Sequence, residues 1–264
     1  MMKEISSLQN AQIKQLVQLQ EKSRERRKRE LFIIEGLREI LLAARNGYQI
    51  TEVYCCPEIL QDSSVLYNFS TEVSLTSVTS EVYNKIAYRG STEGILAVAK
   101  SKQHELQTLN LPENPLILIA EAPEKPGNIG ALLRTADAAG VDAFIIANPK
   151  TDLYNPNIIR SSVGGVFTQE IAMASSNEII DFLKAKNISI YSAILQDAVA
   201  YQTQNFTSST AIVVGTEAHG LTEIWRENST QNIIIPMQGE IDSMNVSVAA
   251  AVLIFEARRQ RGYK

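Results

Sequence analysis

The stretch LILIAEAPEKPGNIGALLRTADAAGVDAFIIA, residues 116–147, sets two apolar runs on either side of a helical pattern that Gly140 ends. The runs Leu116-Ile-Leu-Ile-Ala-Glu121 and Ala143-Phe-Ile-Ile-Ala147 do not alternate apolar with polar residues. Strands of that kind are buried on both faces, as in a parallel sheet with helices on either side. The alternation continues downstream. A helix is expected near 177–186, strands at 188–194, 211–215 and 232–236, and a long helix from about Asn245. The fold class is α/β, with a parallel sheet in the C-terminal part.

Upstream, apolar Ile13, Leu16, Val17 and Leu19 have helical spacing and run into the basic cluster Lys22-Ser-Arg-Glu-Arg-Arg-Lys-Arg29. Leu31–Ile34, Ile50–Tyr54 and Ile95–Val98 read as strands, and Leu37, Ile40 and Leu41 as a helix stopped by Gly47. Ser80 is expected to cap a short helix through Ile86. Together these make a small α/β or α+β module. Residues 101–114, SKQHELQTLNLPEN, break the pattern with polar residues and a proline. The domains expected are 1–105 and 106–264.

Composition bounds the function. The chain has 264 residues, 45% hydrophobic and 20% charged, the balance of a folded chain. No apolar run approaches the roughly 20 residues that cross a bilayer. The N-terminus MMKEISSLQN lacks the apolar core of a signal peptide. A cytoplasmic protein without membrane partners is expected. Adjacent Cys55 and Cys56 make a poor disulfide and an incomplete metal site. The net charge is −4, yet residues 1–30 hold eight Lys/Arg against four Glu. That cluster suits phosphate contact or an ordinary solvated helix face.

A ligand in an open α/β sheet sits beyond the carboxyl ends of the strands. Three loops lie there: 121–130 leading into Arg134, Gly215-Thr-Glu-Ala-His-Gly220, and 236–245. None fits a dinucleotide fingerprint, and Leu221-Thr222 stands where a phosphate-binding loop needs Lys-Ser/Thr. Singly, each residue has an ordinary structural reading. Asn128 and Ser243 suit helix caps, Arg134 a helix surface, and Gly215 and Gly220 turns. Glu217, between glycines after a buried strand, is expected to have a specific partner. His219 and His104 carry no signal.

Taken together, the loops read Asn128-Ile-Gly-x-x-x-Arg134-Thr-Ala, Val-Val-Gly215-Thr-Glu217-x-x-Gly220-Leu and Ile235-Pro-Met-x-Gly239-x-x-x-Ser243-Met-Asn245-Val-Ser247-Val-Ala. In order and spacing they resemble the three motifs of the SpoU (TrmH-like) family of the SPOUT superfamily, RNA 2′-O-ribose methyltransferases. Asn155-Pro-Asn-Ile-Ile-Arg160-Ser-Ser162-Val-Gly164 is similar to that family's Arg-x-Ser-x-Gly segment. Ser7-Leu-Gln-Asn10, Lys14 and Phe32-Ile-Ile-Glu-Gly36 resemble the substrate-binding module that often precedes the catalytic domain. Met244 stands where the family usually has leucine, a nearly volume-conserving change.

The resemblance implies a deep trefoil knot in the C-terminal domain, S-adenosylmethionine as cofactor, and a homodimer whose active sites are completed by the partner subunit. By motif position, Gly215, Thr216, Ile235 and Met244 would cradle the cofactor, and Asn128, Arg134, Glu217, Ser243 and Asn245 would line the reaction site. No metal is required. The family's usual proposal makes the residue matching Arg134 the base, but a guanidinium stays protonated in proteins. Arg134 is therefore expected to hold a phosphate and stabilise developing alkoxide charge. Large-subunit (23S) rRNA is the expected substrate, with the basic cluster on its phosphates. The alternatives are a tRNA 2′-O-methyltransferase and a non-catalytic RNA-binding or ribosome-assembly protein.

Overall fold

The computed structural model describes residues 2–88, 93–216, 220–240 and 243–263. The chain forms two compact units. One comprises residues up to Gln103 together with Asp152–Thr168, the other His104–Thr151 together with Gln169 onward.

In the first unit, β1 (Lys3–Ile5), β2 (Leu31–Glu35), β3 (Ile50–Cys55), β4 (Ser74–Val78) and β5 (Ile95–Lys100) form a mixed sheet ordered β1-β4-β3-β5-β2. β4 runs parallel to both its neighbours, and β5 antiparallel to both of its own. The helices are α1 (Ala11–Glu21), α2 (Ser23–Arg29), α3 (Leu37–Arg45) and α4 (Ser80–Ile86). The stripe Ile13, Leu16 and Leu19 packs with Val82, Tyr83 and Ile86 of α4 over Ile33, Leu96 and Val98 of the sheet. Helical periodicity thus specifies the face that α1 buries. Strands β1 and β4 were not expected from the sequence, because both are short and partly exposed. Thr79, not Ser80, caps α4: its hydroxyl accepts from the Val82 amide at 3.5 Å.

The basic cluster differs from expectation. The helix entering it breaks at Lys22, whose backbone is extended, and restarts as α2. The break lets Arg26 fold back. Its guanidinium donates to the carbonyls of Leu19 and Gln20 (2.7 and 2.9 Å), two acceptors left unpaired at the end of α1. It also pairs with Asp152 at 2.5 Å, with both side chains buried. Arg26 is therefore a structural cation, whereas Lys22, Arg24, Arg27, Lys28 and Arg29 are exposed.

The second unit starts with β6 (Leu116–Glu121), α5 (Pro126–Ala139) and β7 (Ala143–Ala147). Residues 152–168, with α6 (Pro156–Ser162) and α7 (Gly165–Thr168), then pack in the first unit. There Tyr154 stacks on Phe32 with ring centroids 4.0 Å apart, and Phe167 also lies against Phe32. A domain drawn as 106–264 does not separate this segment, because the aromatic cluster and Arg26 hold it where no short-range pattern could reveal it.

The second unit resumes with β8 (Ile171–Ala174), α8 (Ser176–Ala185), β9 (Ser189–Ala193), β10 (Val199–Ala200), β11 (Thr210–Val214), α9 (Glu223–Asn228), β12 (Gln231–Ile234) and α10 (Val246–Arg261). All its strands are parallel, in the order β10-β12-β9-β11-β6-β7-β8. Strands β6, β7 and β11 are buried at every residue, as their unbroken apolar sequences require. Helices α8 and α9 cover one face through Ile179, Ile180, Leu183 and Trp225 over Ile117, Ile119, Ile145 and Val213. Helices α5 and α10 pack on each other, and both lean on the sheet. Arg261 fastens the end of α10 by donating to the carbonyls of Phe206, Asn114, Pro115 and Ser208.

Breaking a buried pair by removing one partner costs about 3–5 kcal/mol. Arg26→Ala is expected to lose stability of that order in urea unfolding of the full chain, while Arg27→Ala in the same cluster stays within about 0.5 kcal/mol. Equal effects would show Arg26 to be an ordinary surface cation.

Candidate active site

Parallel strands all present their carboxyl ends at one edge, and the adjacent β12, β9 and β11 end around a cavity of about 510 Å³. It is lined by Ala193–Gln196 at and past the end of β9, Val214–Thr216 at and past the end of β11, Ile233–Ile235 at and past the end of β12, and Ser243, Met244, Val246 and Ala249 at the start of α10. The four residues expected to cradle a cofactor, Gly215, Thr216, Ile235 and Met244, all line it. So does Ser243, expected at the reaction site. Ile194, Leu195 and Leu221 line it too, and sequence reasoning missed them. For Ile194 and Leu195 the available signal was their position just past the end of β9, whereas Leu221 stands at the far end of the loop after β11.

Gly215 is fixed by space. A Cβ there would lie 2.2 Å from the Gly220 carbonyl carbon and 2.4 Å from its oxygen, closer than any side chain tolerates. The loop doubles back at this point, with Thr216 N donating to Gly220 O at 3.2 Å and Gly220 N to Thr216 O at 3.0 Å. Glu217 and His219 lie outside the described residues.

Glu121, at the end of β6 and only 2% exposed, anchors the far end of the same loop. Its carboxylate accepts from the Thr222 amide (2.8 Å), the Thr222 hydroxyl (2.6 Å) and the Ser176 hydroxyl (3.1 Å). The Ser176 oxygen in turn accepts from the Trp225 indole and from Asn148. From the sequence alone Glu121 only ends a strand. An acid closing an otherwise apolar strand was the signal.

Asn128 stands in the first turn of α5, three residues past its cap Lys125. Asn245, not Ser243, caps α10: its Oδ1 accepts from the amide and hydroxyl of Ser247 at 2.9 and 2.7 Å. Its Nδ2 donates to Asn128 Oδ1 at 3.3 Å, joining the first and third motifs. Arg134 lies two turns along α5 and is exposed.

The cavity suits a ligand with a flat apolar part. Its walls are Ile194, Leu195, Val214, Leu221, Ile233 and Met244, and Gln196, Thr216 and Ser243 bring polar groups to it. A nucleoside carrying an amino-acid tail, as in S-adenosylmethionine, fits that set of donors and walls.

Comparison with known proteins agrees with this geometry. A model of the SpoU rRNA Methylase family matches residues 115–255, and one of an MRM3-like substrate binding domain matches residues 10–97. The fold, the cavity and these matches define a methyltransferase, and the chain belongs to the SpoU rRNA methylase family. It is 28% identical to the 23S rRNA (guanosine(2553)-2′-O)-methyltransferase RlmP of Bacillus subtilis, over 97% of this chain and all of that protein. Among solved structures it is similar to an RNA 2′-O ribose methyltransferase, at 36% identity and a TM-score of 0.84 over 98% of this chain and 99% of the other. The AdoMet-bound rRNA methyltransferase of Sinorhizobium meliloti gives 26% identity and a TM-score of 0.90, over 98% of both chains.

Gly215→Ala is expected to raise the dissociation constant for S-adenosylmethionine at least about tenfold, which is roughly 1.4 kcal/mol. Gly127→Ala, where a Cβ meets nothing within 4 Å, should leave it within about twofold. Isothermal titration of the two variants checks both.

Proposed function

We propose that this protein transfers a methyl group from S-adenosylmethionine to a ribose 2′-hydroxyl of 23S ribosomal RNA. The observation that carries the reading is the convergence of the three motif loops. Gly215, Thr216, Ile235, Ser243 and Met244 share one cavity, and Asn245 reaches across to Asn128.

The bound cofactor supplies an electrophilic methyl on a sulfonium leaving group. Gly215, Thr216, Ile235 and Met244 hold it, largely through backbone. The remaining task is to bring a weak nucleophile, the ribose hydroxyl, into line with that methyl, so that the oxygen–methyl bond forms as the methyl–sulfur bond breaks and the hydroxyl proton passes to solvent water. Asn245 has its Oδ1 committed to the α10 cap and its Nδ2 to Asn128. The cap orients the Asn245 amide, and through it the pair presents a polar edge to the ribose. Arg134, exposed and permanently charged, holds a phosphate next to the target and stabilises charge developing on the hydroxyl oxygen. Ser243 and Glu217 complete the orientation of the hydroxyl.

The first unit chooses the RNA, with Lys22, Arg24, Arg27, Lys28 and Arg29 on phosphates. The full-length likeness to a 23S rRNA enzyme, first unit included, favours ribosomal over transfer RNA. The active form is a cytoplasmic homodimer whose catalytic domain is knotted and whose partner completes each site. Val248 and Phe255, seven residues apart on α10 and 51% and 37% exposed, support an interface along that helix.

Label from S-adenosylmethionine is expected in 23S rRNA that lacks this modification, at one linkage that resists alkali, and absent with Asn128→Ala/Arg134→Ala. Label in tRNA alone, or at an alkali-sensitive position, contradicts the reading. Arg134→Lys and Arg134→Ala are both expected to lose about 10²-fold or more in kcat, with no shift in the pH–rate profile. Activity regained by Lys with a shifted profile would make residue 134 the base.

A further inference from the structure

Two segments singled out in the sequence have no part in the cofactor cavity: Glu35-Gly36, which closes β2, and Arg160 of the Arg-x-Ser-x-Gly segment. Both line a second cavity of about 290 Å³, wholly within the first unit. Its floor is apolar, from Ile33, Pro156 and Ile159. One side is the ring of Tyr88, 44% exposed, with the Arg160 guanidinium 6.0 Å from its centroid. Gly36 also lines it, with φ +98°, and a Cβ there would lie 2.7 Å from Glu39 Oε2.

The carboxylates around this cavity are not equivalent. Glu35 accepts from the Tyr88 amide at 2.7 Å and Glu93 from the Leu37 amide at 2.6 Å, so both brace the walls. Glu39, half-buried in the first turn of α3, has no hydrogen-bond or ion-pair partner among the described residues. An aromatic ring, a guanidinium and a carboxylate without a partner among the described residues, around an apolar floor, form a stacking and hydrogen-bonding set for a flat, polar-edged ligand. In an RNA-binding unit that ligand is an unpaired base, since bases of single-stranded RNA are stacked on aromatic or Arg planes and read along their edges.

We infer that this cavity binds an unpaired guanine of the substrate RNA, stacked beside Tyr88 and Arg160, with Glu39 accepting its N1–H and exocyclic N2–H. Guanine is favoured because its two adjacent donors match the two oxygens of one carboxylate. Uracil offers one N–H on that edge, while adenine and cytosine set an acceptor beside their amino group. Arg38, exposed at the rim, meets the flanking phosphate. The inference rests on the RNA-methylase reading.

The test uses the full chain and fluorescent single-stranded RNA octamers containing one guanine, inosine, adenine or uracil in an otherwise constant sequence. Wild type is expected to bind the guanine octamer most tightly and to lose about five- to tenfold with inosine, which lacks the N2 amine. Glu39→Gln should bind guanine and inosine alike while keeping wild-type affinity for S-adenosylmethionine, which a general loss of folding would not. Tyr88→Ala should weaken the guanine octamer by roughly 10-fold or more, in line with the stacking of one base, with unchanged affinity for S-adenosylmethionine. Equal binding of all four octamers, a preference for adenine or uracil, or an inosine penalty that survives Glu39→Gln would each overturn the proposal. Methyl transfer to 23S rRNA by wild type, measured alongside, tests the enzymatic reading separately. Its failure with guanine selectivity intact would leave the pocket standing and remove the activity.

Discussion

Glu121 is a carboxylate withdrawn from water, with no ion-pair partner among the described residues. A buried charge of that kind is tolerated only where hydrogen bonds replace its hydration. Here Thr222 gives two and Ser176 one. In accepting them, the end of β6 takes hold of the loop that leaves β11, at the residue capping α9. The other end of that loop is closed by the Thr216–Gly220 bridge and by the lack of room at Gly215 for any side chain. The same β6 leads directly into α5, where Asn128 meets Asn245. The three motif loops come from distant parts of the sequence, and the region around the end of β6 is where they are tied together.

The sheet supplies the frame for this. Because every strand of the second unit is parallel, every carboxyl end faces the same edge, and three neighbouring ends suffice to outline a cavity. The apolar strands that make the sheet stiff also make its edge an unsuitable place for loose polar groups. Two of the polar residues there are held by capping or by a side-chain pair: Asn245 over the first turn of α10, and Ser176, whose hydroxyl accepts from the Trp225 indole.

Much of this was legible in the sequence where a local rule acts. Unbroken apolar runs revealed β6, β7 and β11, Gly140 marked the end of α5, and Asn245 announced α10. Motif spacing singled out Gly215, Thr216, Ile235 and Met244, and the fold brings these four to one cavity. What escaped depends on partners far away in sequence. Short edge strands such as β1 and β10 carry no pattern of their own. The break at Lys22 goes with a contact of Arg26 to Asp152, 126 residues later. The return of residues 152–168 to the first unit rests on Tyr154 stacking on Phe32, which periodicity cannot express. The role of Glu121 emerged only with Thr222 beside it.

The central claim is that the first and third motifs act as one unit through the Asn128–Asn245 contact. A double-mutant cycle on kcat/KM for methyl transfer, with Asn128→Ala, Asn245→Ala and the pair, measures this most directly. The account predicts a coupling of about 1 kcal/mol or more, within the roughly 0.5–3 kcal/mol found for contacting residues. The double variant would then be little worse than either single one. Strict additivity of the two losses would contradict it, and would mean that the two amides serve separate ends of the site.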